Sequence, residues 1–156
     1  GQGFDIHRFI DGPSDRVLVL GGVKFPNERA LAGHSDADVI AHAAADALLG
    51  AASLGDIGMH FPDTDPQWAG ANSLTLLAHV AKIVRDAGYE IGNVDCSIVC
   101  EKPKIAPHRE AMQKLLSDAA GATITVKGRR AEGLGALGRE EGIACWAVAV
   151  IERTQA

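Results

Sequence analysis

The sequence predicts an α+β fold in which a mixed sheet of four to five strands carries helices on one face. Strand-like segments lie near the start (residues 1–25), in the middle (94–100) and near the end (123–151), with the helix-like segments gathered between these groups. This order favours segregated helices rather than the regular alternation of a parallel sheet. At 156 residues, of which 47% are hydrophobic, the chain can bury one core, and we expect a single domain over residues 1–156.

Charge and cysteine usage narrow the classes of partner and compartment. A net charge of −5 disfavours nucleic acid as the main partner. No apolar run in the sequence reaches the length of a membrane span, so we predict no membrane partner and no signal peptide. The three cysteines form no C-x-x-C motif, and this odd number predicts unpaired core thiols in a cytoplasmic protein.

The first strand is predicted over residues 1–9, which are compatible with β structure and precede the turn-forming run DGP at 11–13. Residues two apart on a strand share a face and lie about 6–7 Å apart. Asp5 and His7 can therefore approach one ion together, while Ile6 is expected to face the core.

The motif GHSDADVIAH at residues 33–42 begins as a loop and ends inside a helix that is predicted to end near Gly50. Ser35 and Asp38 form a capping-box pattern, which predicts that the helix begins directly after Ser35. Asp38, His42 and Asp46 are spaced by four residues and share one stripe of this helix. A histidine flanked by carboxylates is typical of a metal site, where a carboxylate takes the ring N–H that faces away from the ion. An exposed polar stripe is the other interpretation that this helix leaves open.

The strand and the helix together supply a candidate catalytic zinc site. Asp5, His7 and His42 form a set of one carboxylate and two imidazoles. Three protein ligands with one open tetrahedral position are typical of a catalytic rather than a structural zinc site.

The remaining segments complete the predicted fold. They are, in order, an apolar strand at 16–25 interrupted by a bulge or bend at Gly21-Gly22, a long functional or mobile loop at 53–72, a helix capped by Ser73 and ended by Gly88, a strand at 94–100, a helix opened by Pro107 and ended by Gly121, a strand at 123–127, a Gly-rich loop at 128–142 with Arg129-Arg130, and a central strand at 143–151. Because no further helix is predicted to cover the second face of the sheet, we expect a small symmetric oligomer.

Five motifs occur in order along the chain: DIH at residues 5–7, GHSDAD at 33–38 followed by His42, GDIG at 55–58, FPDTDP at 61–66 and PKI at 103–105. With these residues at these spacings, the chain closely resembles the 2-C-methyl-D-erythritol 2,4-cyclodiphosphate synthase family of the non-mevalonate isoprenoid pathway. The resemblance covers essentially the whole length. It implies a homotrimer with active sites between neighbouring subunits and with the second face of the sheet toward the trimer interior.

The resemblance also implies the reaction and its cofactors. The substrate is 4-diphosphocytidyl-2-C-methyl-D-erythritol 2-phosphate, and the products are 2-C-methyl-D-erythritol 2,4-cyclodiphosphate and CMP. The implied metals are a catalytic zinc and a second divalent ion, magnesium or manganese. The nucleophile is already a phosphate anion, so the protein must supply alignment and charge neutralisation rather than a strong base.

Carried over position by position, the resemblance implies that Asp5, His7 and His42 bind zinc and that Glu132 binds the second metal. It implies catalytic roles for His34, which with Ser35 would contact the 2-phosphate, and for Arg130 at the diphosphate. Residues 100–106 would form the cytosine-side wall from the adjacent subunit. The positions implied to contact substrate are Asp5, Ile6, His7, His34, Ser35, Asp56, Ile57, Gly58, Phe61, Pro62, Asp63, Thr64, Asp65, Cys100, Lys104, Ile105, Ala106, Arg129, Arg130, Glu132, Ala136 and Arg139.

Two segments depart from the family pattern. Residues 127–132 are KGRRAE where the family usually has Lys-Ala-Thr-Thr before the metal-binding Glu, so Arg130 stands at a phosphate-contacting threonine. Residues 136–142 are ALGREEG in place of Phe-Thr-Gly-Arg-Gly-Glu-Gly. Two alternative functions therefore stay open: a zinc phosphohydrolase that activates water, and a weakened homologue that binds nucleotide or isoprenoid phosphates without turnover.

Overall fold

The computed structural model describes residues 1–154 and contains a mixed sheet with helices on one face. The elements are β1 (Gln2–Arg8), β2 (Leu18–Leu20), β3 (Val23–Phe25), α1 (Val39–Ala51), α2 (Ile57–His60), α3 (Ser73–Asp86), β4 (Tyr89–Val99), α4 (Arg109–Ala120), β5 (Thr123–Arg129), α5 (Gly135–Gly138) and β6 (Gly142–Arg153), with 3-10 turns at Pro66–Trp68 and Ala106–His108. This architecture confirms the predicted α+β class.

The main sheet has four strands in the order β1-β6-β4-β5. The β1–β6 and β6–β4 pairs are antiparallel and the β4–β5 pair is parallel, so β6 is interior, as its two apolar faces predicted. Strands β2 and β3 form a separate antiparallel hairpin. The prediction of one interrupted strand at 16–25 was therefore wrong, because Gly21 and Gly22 make a tight turn with φ of 57° and 78°.

Helix α1 lies against β1 and β6 and forms the centre of the core. Ile40 and Leu48 are fully buried, and each such side chain contributes about 1.5–3 kcal/mol of burial free energy. A Cβ atom on Gly3 of β1 would lie 1.9 Å from the carbonyl oxygen of Ala43, so only glycine permits this spacing between strand and helix. The close approach brings the helix that carries His42 over the strand that carries Asp5 and His7.

The start of α1 differs from the prediction. The helix begins at Val39 rather than directly after Ser35, and its N-cap is Asp38, whose carboxylate accepts from the N–H groups of Ile40 and Ala41. Ala37 has φ of 59°, in the left-handed region, so the chain cannot be helical there. Both Asp38 oxygens also accept from the β2–β3 turn, at 2.8 Å from Gly21 N and 2.7 Å from Gly22 N. A similar offset occurs at α3, where the Asn72 side chain, not Ser73, forms the cap.

The face of the sheet opposite the helices is apolar and uncovered in the single chain. Phe4, Ile6, Trp146, Val148 and Val150 are between 40% and 57% exposed on it. The prediction that Ile6 faces the core was wrong: Asp5 and His7 take the helix side, so the two-residue period of the strand places Ile6 on the other face. Among residues 1–154, no helix combines the length and the hydrophobicity that crossing a bilayer requires.

Candidate active site

A carboxylate and two imidazoles meet between β1 and α1. Asp5 Oδ2 lies 3.1 Å from His7 Nε2 and 3.0 Å from His42 Nδ1, and one ligand atom from each residue lies within 4.8 Å of the others. The side chains are between 11% and 24% exposed, so one side of the cluster is open to solvent. Ligands about 2.0–2.2 Å from a tetrahedral zinc would be separated by roughly 3.3 Å, which these atoms can meet with small shifts.

The tautomer of His7 supports a cation between these residues. Its Nδ1 lies 2.6 Å from the carbonyl oxygen of Ala32, which can only accept a hydrogen bond. In the neutral ring the proton is therefore on Nδ1, and the lone pair of Nε2 faces Asp5. A metal ligand with its second nitrogen donating to a carbonyl is the arrangement that orients an imidazole at a metal centre.

The electrostatics of the cluster also favour a cation. Burial raises the pKa of the Asp5 carboxyl, but the hydrogen bonds and charges of His42 and His7, when these rings are protonated, outweigh burial and lower the pKa to about 2. Burial lowers the pKa of His7, but the hydrogen bond and charge of Asp5, together with the hydrogen bond to the Ala32 carbonyl, shift it upward overall. Asp5 is thus ionised, and it attracts positive charge to the position where the two rings converge.

The outward end of the His42 ring is held differently from the prediction. We predicted that a carboxylate of the same helix takes the second ring N–H, and this was wrong. Asp38 faces backbone N–H groups, and Asp46 accepts from the N–H of Ile57 at 2.7 Å. His42 Nε2 instead lies 2.8 Å from Ser73 Oγ and 3.1 Å from Ser35 Oγ. These serines are 31 and 7 residues away in sequence, so helix periodicity could not indicate the first of them.

The cluster lies in a cleft of about 490 Å³, which we call the metal cleft. The predicted substrate positions that line it are Asp5, His7, His34, Ser35, Ile57, Gly58, Phe61, Pro62 and Asp63. His34 Nε2 is 3.1 Å from the carbonyl oxygen of Asp65, which ties the loop that carries it to residues 61–68. Trp68 and Leu76, which no sequence motif indicated, complete the apolar wall of the cleft. The Trp68 ring meets the Phe61 ring edge to face, with the ring centroids 5.0 Å apart.

Other predicted positions around this cleft have structural partners. Asp56 caps α2 and accepts from Met59 N at 2.9 Å, and Asp65 caps the following 3-10 turn and accepts from Gln67 N at 3.0 Å. Neither carboxylate lines the metal cleft, and neither do Thr64 or the outward-facing Ile6. Arg16 donates to the carbonyl oxygens of Gly33 and Ser35 and so stabilises the loop that carries His34. No sequence motif indicated this role.

A second cleft of about 420 Å³, the basic cleft, contains Cys100, Lys104, Ile105, Ala106, Arg129 and Arg130 among its lining residues. Five basic side chains and one acidic side chain line it, and it shares no lining residue with the metal cleft. Arg130 donates from Nε and Nη2 to Glu101 Oε2 at 3.2 and 3.1 Å. The charge that replaces the expected threonine is therefore paired with a carboxylate.

Besides Ile6, Asp56, Thr64 and Asp65, three further predicted positions lie in neither cleft: Glu132, Ala136 and Arg139. Glu132 is exposed with φ of 54°, and within residues 1–154 the only group of three metal-ligating side chains is the Asp5, His7 and His42 cluster. Arg139 donates to Glu141 at 2.7 Å, and Ala136 lies beside Ile6 in an apolar groove at the end of β1.

A sequence model described as the YgbB family matches residues 1–152. The chain belongs to the YgbB family. Curated relatives of this YgbB chain include two proteins named 2-C-methyl-D-erythritol 2,4-cyclodiphosphate synthase. The one from Geobacillus thermodenitrificans is 50% identical over 159 residues, covering 100% of this chain and 98% of the relative. The one from Bacillus cereus is 52% identical over 156 residues, covering 98% and 97%.

Solved structures agree with the YgbB assignment. The CDP complex of IspF from Plasmodium falciparum superposes with a TM-score of 0.85 at 34% identity, covering 99% of this chain and 96% of that one. The bifunctional IspDF of Campylobacter jejuni gives a TM-score of 0.92 at 39% identity over 99% of this chain, which spans 42% of that longer protein. The predicted resemblance is thereby confirmed.

Proposed function

We propose that this YgbB-family chain is a lyase of isoprenoid biosynthesis that converts 4-diphosphocytidyl-2-C-methyl-D-erythritol 2-phosphate to 2-C-methyl-D-erythritol 2,4-cyclodiphosphate and CMP. The observation that carries the proposal is the convergence of Asp5 Oδ2, His7 Nε2 and His42 Nδ1 at one side of the metal cleft. Relatives of about half identity over the full chain carry the name of this synthase, which supports the same assignment.

The proposed metals are a zinc ion held by Asp5, His7 and His42 and a magnesium or manganese ion at Glu132. Two imidazoles and one carboxylate suit zinc and leave a position for a phosphate oxygen. Magnesium is commonly held by one or two carboxylates together with substrate phosphates, which fits a lone exposed Glu132. When bound, these ions supply Lewis-acid stabilisation of charge on the diphosphate.

The protein's own groups align the reaction. The 2-phosphate oxygen attacks the β-phosphorus, the bond from that phosphorus to the oxygen of CMP breaks, and no water or base is consumed. His34 and Ser35 lie on the loop braced by Arg16, where they would hold the 2-phosphate in line with the β-phosphorus. The apolar wall of Phe61, Trp68 and Leu76 would bind the methylated carbon skeleton and exclude water.

The basic cleft would receive the cytidine diphosphate end of the substrate. Solved IspF relatives bind CDP, and the cationic lining of this cleft suits a diphosphate. Because the two clefts share no residue, we propose that residues 100–106 of one subunit complete the metal cleft of its neighbour. The uncovered apolar sheet face supports a homotrimer closed around that face. The three buried free cysteines fit the reducing cytoplasm, which we propose as the location.

Product analysis tests the assignment. Purified protein is incubated with the cytidine substrate in oxygen-18 water, with and without a chelator and with added zinc and magnesium. We expect cyclodiphosphate and CMP without oxygen-18 in either product, and no reaction with the chelator present. Phosphate carrying oxygen-18 would instead identify a phosphohydrolase. Tight CDP binding without any product would identify a weakened homologue, the alternative that the charge at Arg130 favours.

A further inference from the structure

The ring of His42 is connected to a second carboxylate through a serine. Ser73, the first residue of α3, is 1% exposed, and its Oγ lies 2.8 Å from His42 Nε2. Asp36 holds Ser73 at two points: Oδ1 accepts from the hydroxyl, and Oδ2 accepts from the backbone N–H at 3.0 Å. The chain Asp36–Ser73–His42 thus joins the loop before α1, the start of α3 and the metal cleft.

The direction of these hydrogen bonds follows from what each group can donate. An ionised carboxylate only accepts, so the Ser73 hydroxyl must direct its single proton toward Asp36. Ser73 Oγ can then act only as an acceptor toward His42, and the proton between them must lie on Nε2. A neutral imidazole carries one proton, so Nδ1 is left with a lone pair 3.0 Å from Asp5 Oδ2.

We propose that Asp36 and Ser73 are positioning residues that fix His42 in the Nε2–H tautomer and so present Nδ1 to a divalent cation. The inference rests on the proposed function, because it assigns these side chains to the metal centre of that reaction. His7 obtains the same control from the backbone carbonyl of Ala32, which no substitution of a side chain removes directly. His42 depends on two side chains, so its tautomer can be altered by mutation.

The same chain has a consequence for Ser35. Its Oγ is 3.1 Å from His42 Nε2 and also accepts from Ala37 N at 3.3 Å. With the proton on Nε2, Ser35 is an acceptor toward His42, and its own hydroxyl proton is available to an oxygen atom in the metal cleft. The Nε2–H tautomer therefore leaves Ser35 able to donate to a phosphate.

The decisive substitution is Asp36→Asn, which keeps the shape of the side chain. The new amide can donate to Ser73 Oγ, which frees the Ser73 proton for His42 Nε2 and favours a proton on Nδ1. We expect the zinc affinity of the apoprotein to fall about 10- to 100-fold, the usual effect of losing such a partner. Long-range ¹H–¹⁵N spectra of the zinc-free protein, recorded where the rings are neutral and assigned with His42→Asn, should show His42 change from Nε2–H to Nδ1–H.

Asp46→Asn is the matched control. Asp46 lies one turn after His42 on α1, and its amide replacement also removes one negative charge near the centre while its oxygen can still accept from Ile57 N. We expect this variant to keep the Nε2–H tautomer and to lose no more than about threefold in zinc affinity, since it removes charge without the orienting hydrogen bond. Ser73→Ala is the second variant: it removes the acceptor, and we expect it to lower zinc affinity and to weaken the preference for Nε2–H.

The outcomes separate the two proposals. If the wild-type apoprotein does not bind zinc through His42, the proposed function is wrong. If it binds zinc and Asp36→Asn binds equally well with the Nε2–H signal unchanged, the positioning role is wrong and the proposed function stands. A loss of affinity in Asp36→Asn with an unchanged tautomer would also overturn the positioning role, since it would be an effect of charge alone. If Asp36→Asn does not fold, the same two measurements on Ser73→Ala decide.

Discussion

The metal cleft and the basic cleft differ in how completely one chain builds them. In the metal cleft, the His7 ring is held by a carbonyl 25 residues away and the His42 ring by a serine 31 residues away, and both side chains are at least three-quarters buried. In the basic cleft, the side chains of Lys102 and Arg130 are each 69% exposed. The arrangement of the candidate metal ligands is therefore preformed within the chain, whereas the charged side chains of the basic cleft are exposed and available to a ligand or a second subunit.

The comparison predicts that removing a metal ligand leaves the basic cleft intact. For His42→Ala we expect stoichiometric zinc to be lost and turnover to fall by more than about 10³-fold, since Lewis-acid stabilisation is worth several kcal/mol. CMP binding measured by calorimetry should change less than about twofold, because CMP carries neither the 2-phosphate nor the β-phosphate that would meet beside the metal. Circular dichroism provides the folding control. If His42→Ala abolishes CMP binding while remaining folded, the two clefts are not independent.

A charge on the uncovered sheet face should separate the subunits that, in our proposal, bring the two clefts together. Val148 is 57% exposed in the single chain. For Val148→Asp we expect the mass from light scattering to fall from three chains to one, because burying an unpaired carboxylate costs several kcal/mol. Activity should be lost while zinc stays bound. Ala78→Asp, which adds the same charge on an exposed position of α3, should leave the mass at three chains. A wild-type mass of one chain would end the proposal of a shared site.

The pairing of Arg130 with Glu101 predicts a smaller effect, confined to the basic cleft. For Arg130→Thr we expect CDP affinity to fall about tenfold, as for loss of a charge-assisted hydrogen bond of about 1.5 kcal/mol. Glu101→Gln should raise CDP affinity about threefold, because it frees the Arg130 guanidinium from its partner. This gain corresponds to a change in binding free energy of less than about 1 kcal/mol. In the Arg130→Thr background, Glu101→Gln should have no effect. Zinc affinity should be unchanged in both single variants and in the double variant. Tighter CDP binding by Arg130→Thr would instead show that the arginine weakens ligand binding in this cleft.

The smallest effect is expected at the exposed polar edge of the sheet beside the basic cleft. Lys127 donates to Asp95 and is the main cause that lowers the pKa of that carboxyl from its ordinary 3.8; burial opposes this shift, and the Thr125 hydroxyl, which also donates to Asp95, supports it. Because the folded-state pKa is depressed, the stabilisation is present above pH 3.8 and is lost as the pH falls through the lower folded-state value. We expect Lys127→Ala to reduce the free energy of unfolding by less than about 1 kcal/mol, measured by urea denaturation at neutral pH. The difference should vanish in acid; a difference that persists there would assign the effect to packing.

Local periodicity explains which part of the metal cleft could be predicted from the sequence. The two-residue repeat of a strand placed Asp5 and His7 on one face, and the helix placed His42 at a position where it could face them. The repeat could not decide which face is the core, and Ile6 was assigned to the wrong one. Helix α1 begins later than the capping pattern predicted, because Ala37 adopts a left-handed backbone conformation within that pattern.

The partners of His42 could not be predicted, because they depend on tertiary contacts. Asp36 and Ser73 are 37 residues apart and meet only after α3 has packed beside α1. Asp38 and Asp46, which share a helical stripe with His42 in sequence, are drawn away by backbone N–H groups of other segments. Backbone N–H groups compete with side chains for carboxylate acceptors. In a folded chain, such an N–H group often lies closer to a carboxylate than the side chain that the sequence pattern suggests.

Gly3 has no side chain that could bind, donate or react, yet the spacing between strand and helix at the metal cleft depends on it. A single methyl group at this position would push apart the two elements whose side chains form the candidate metal cluster. A search for functional residues by side-chain chemistry would not select Gly3. The absence of a side chain at this position nevertheless allows Asp5, His7 and His42 to converge.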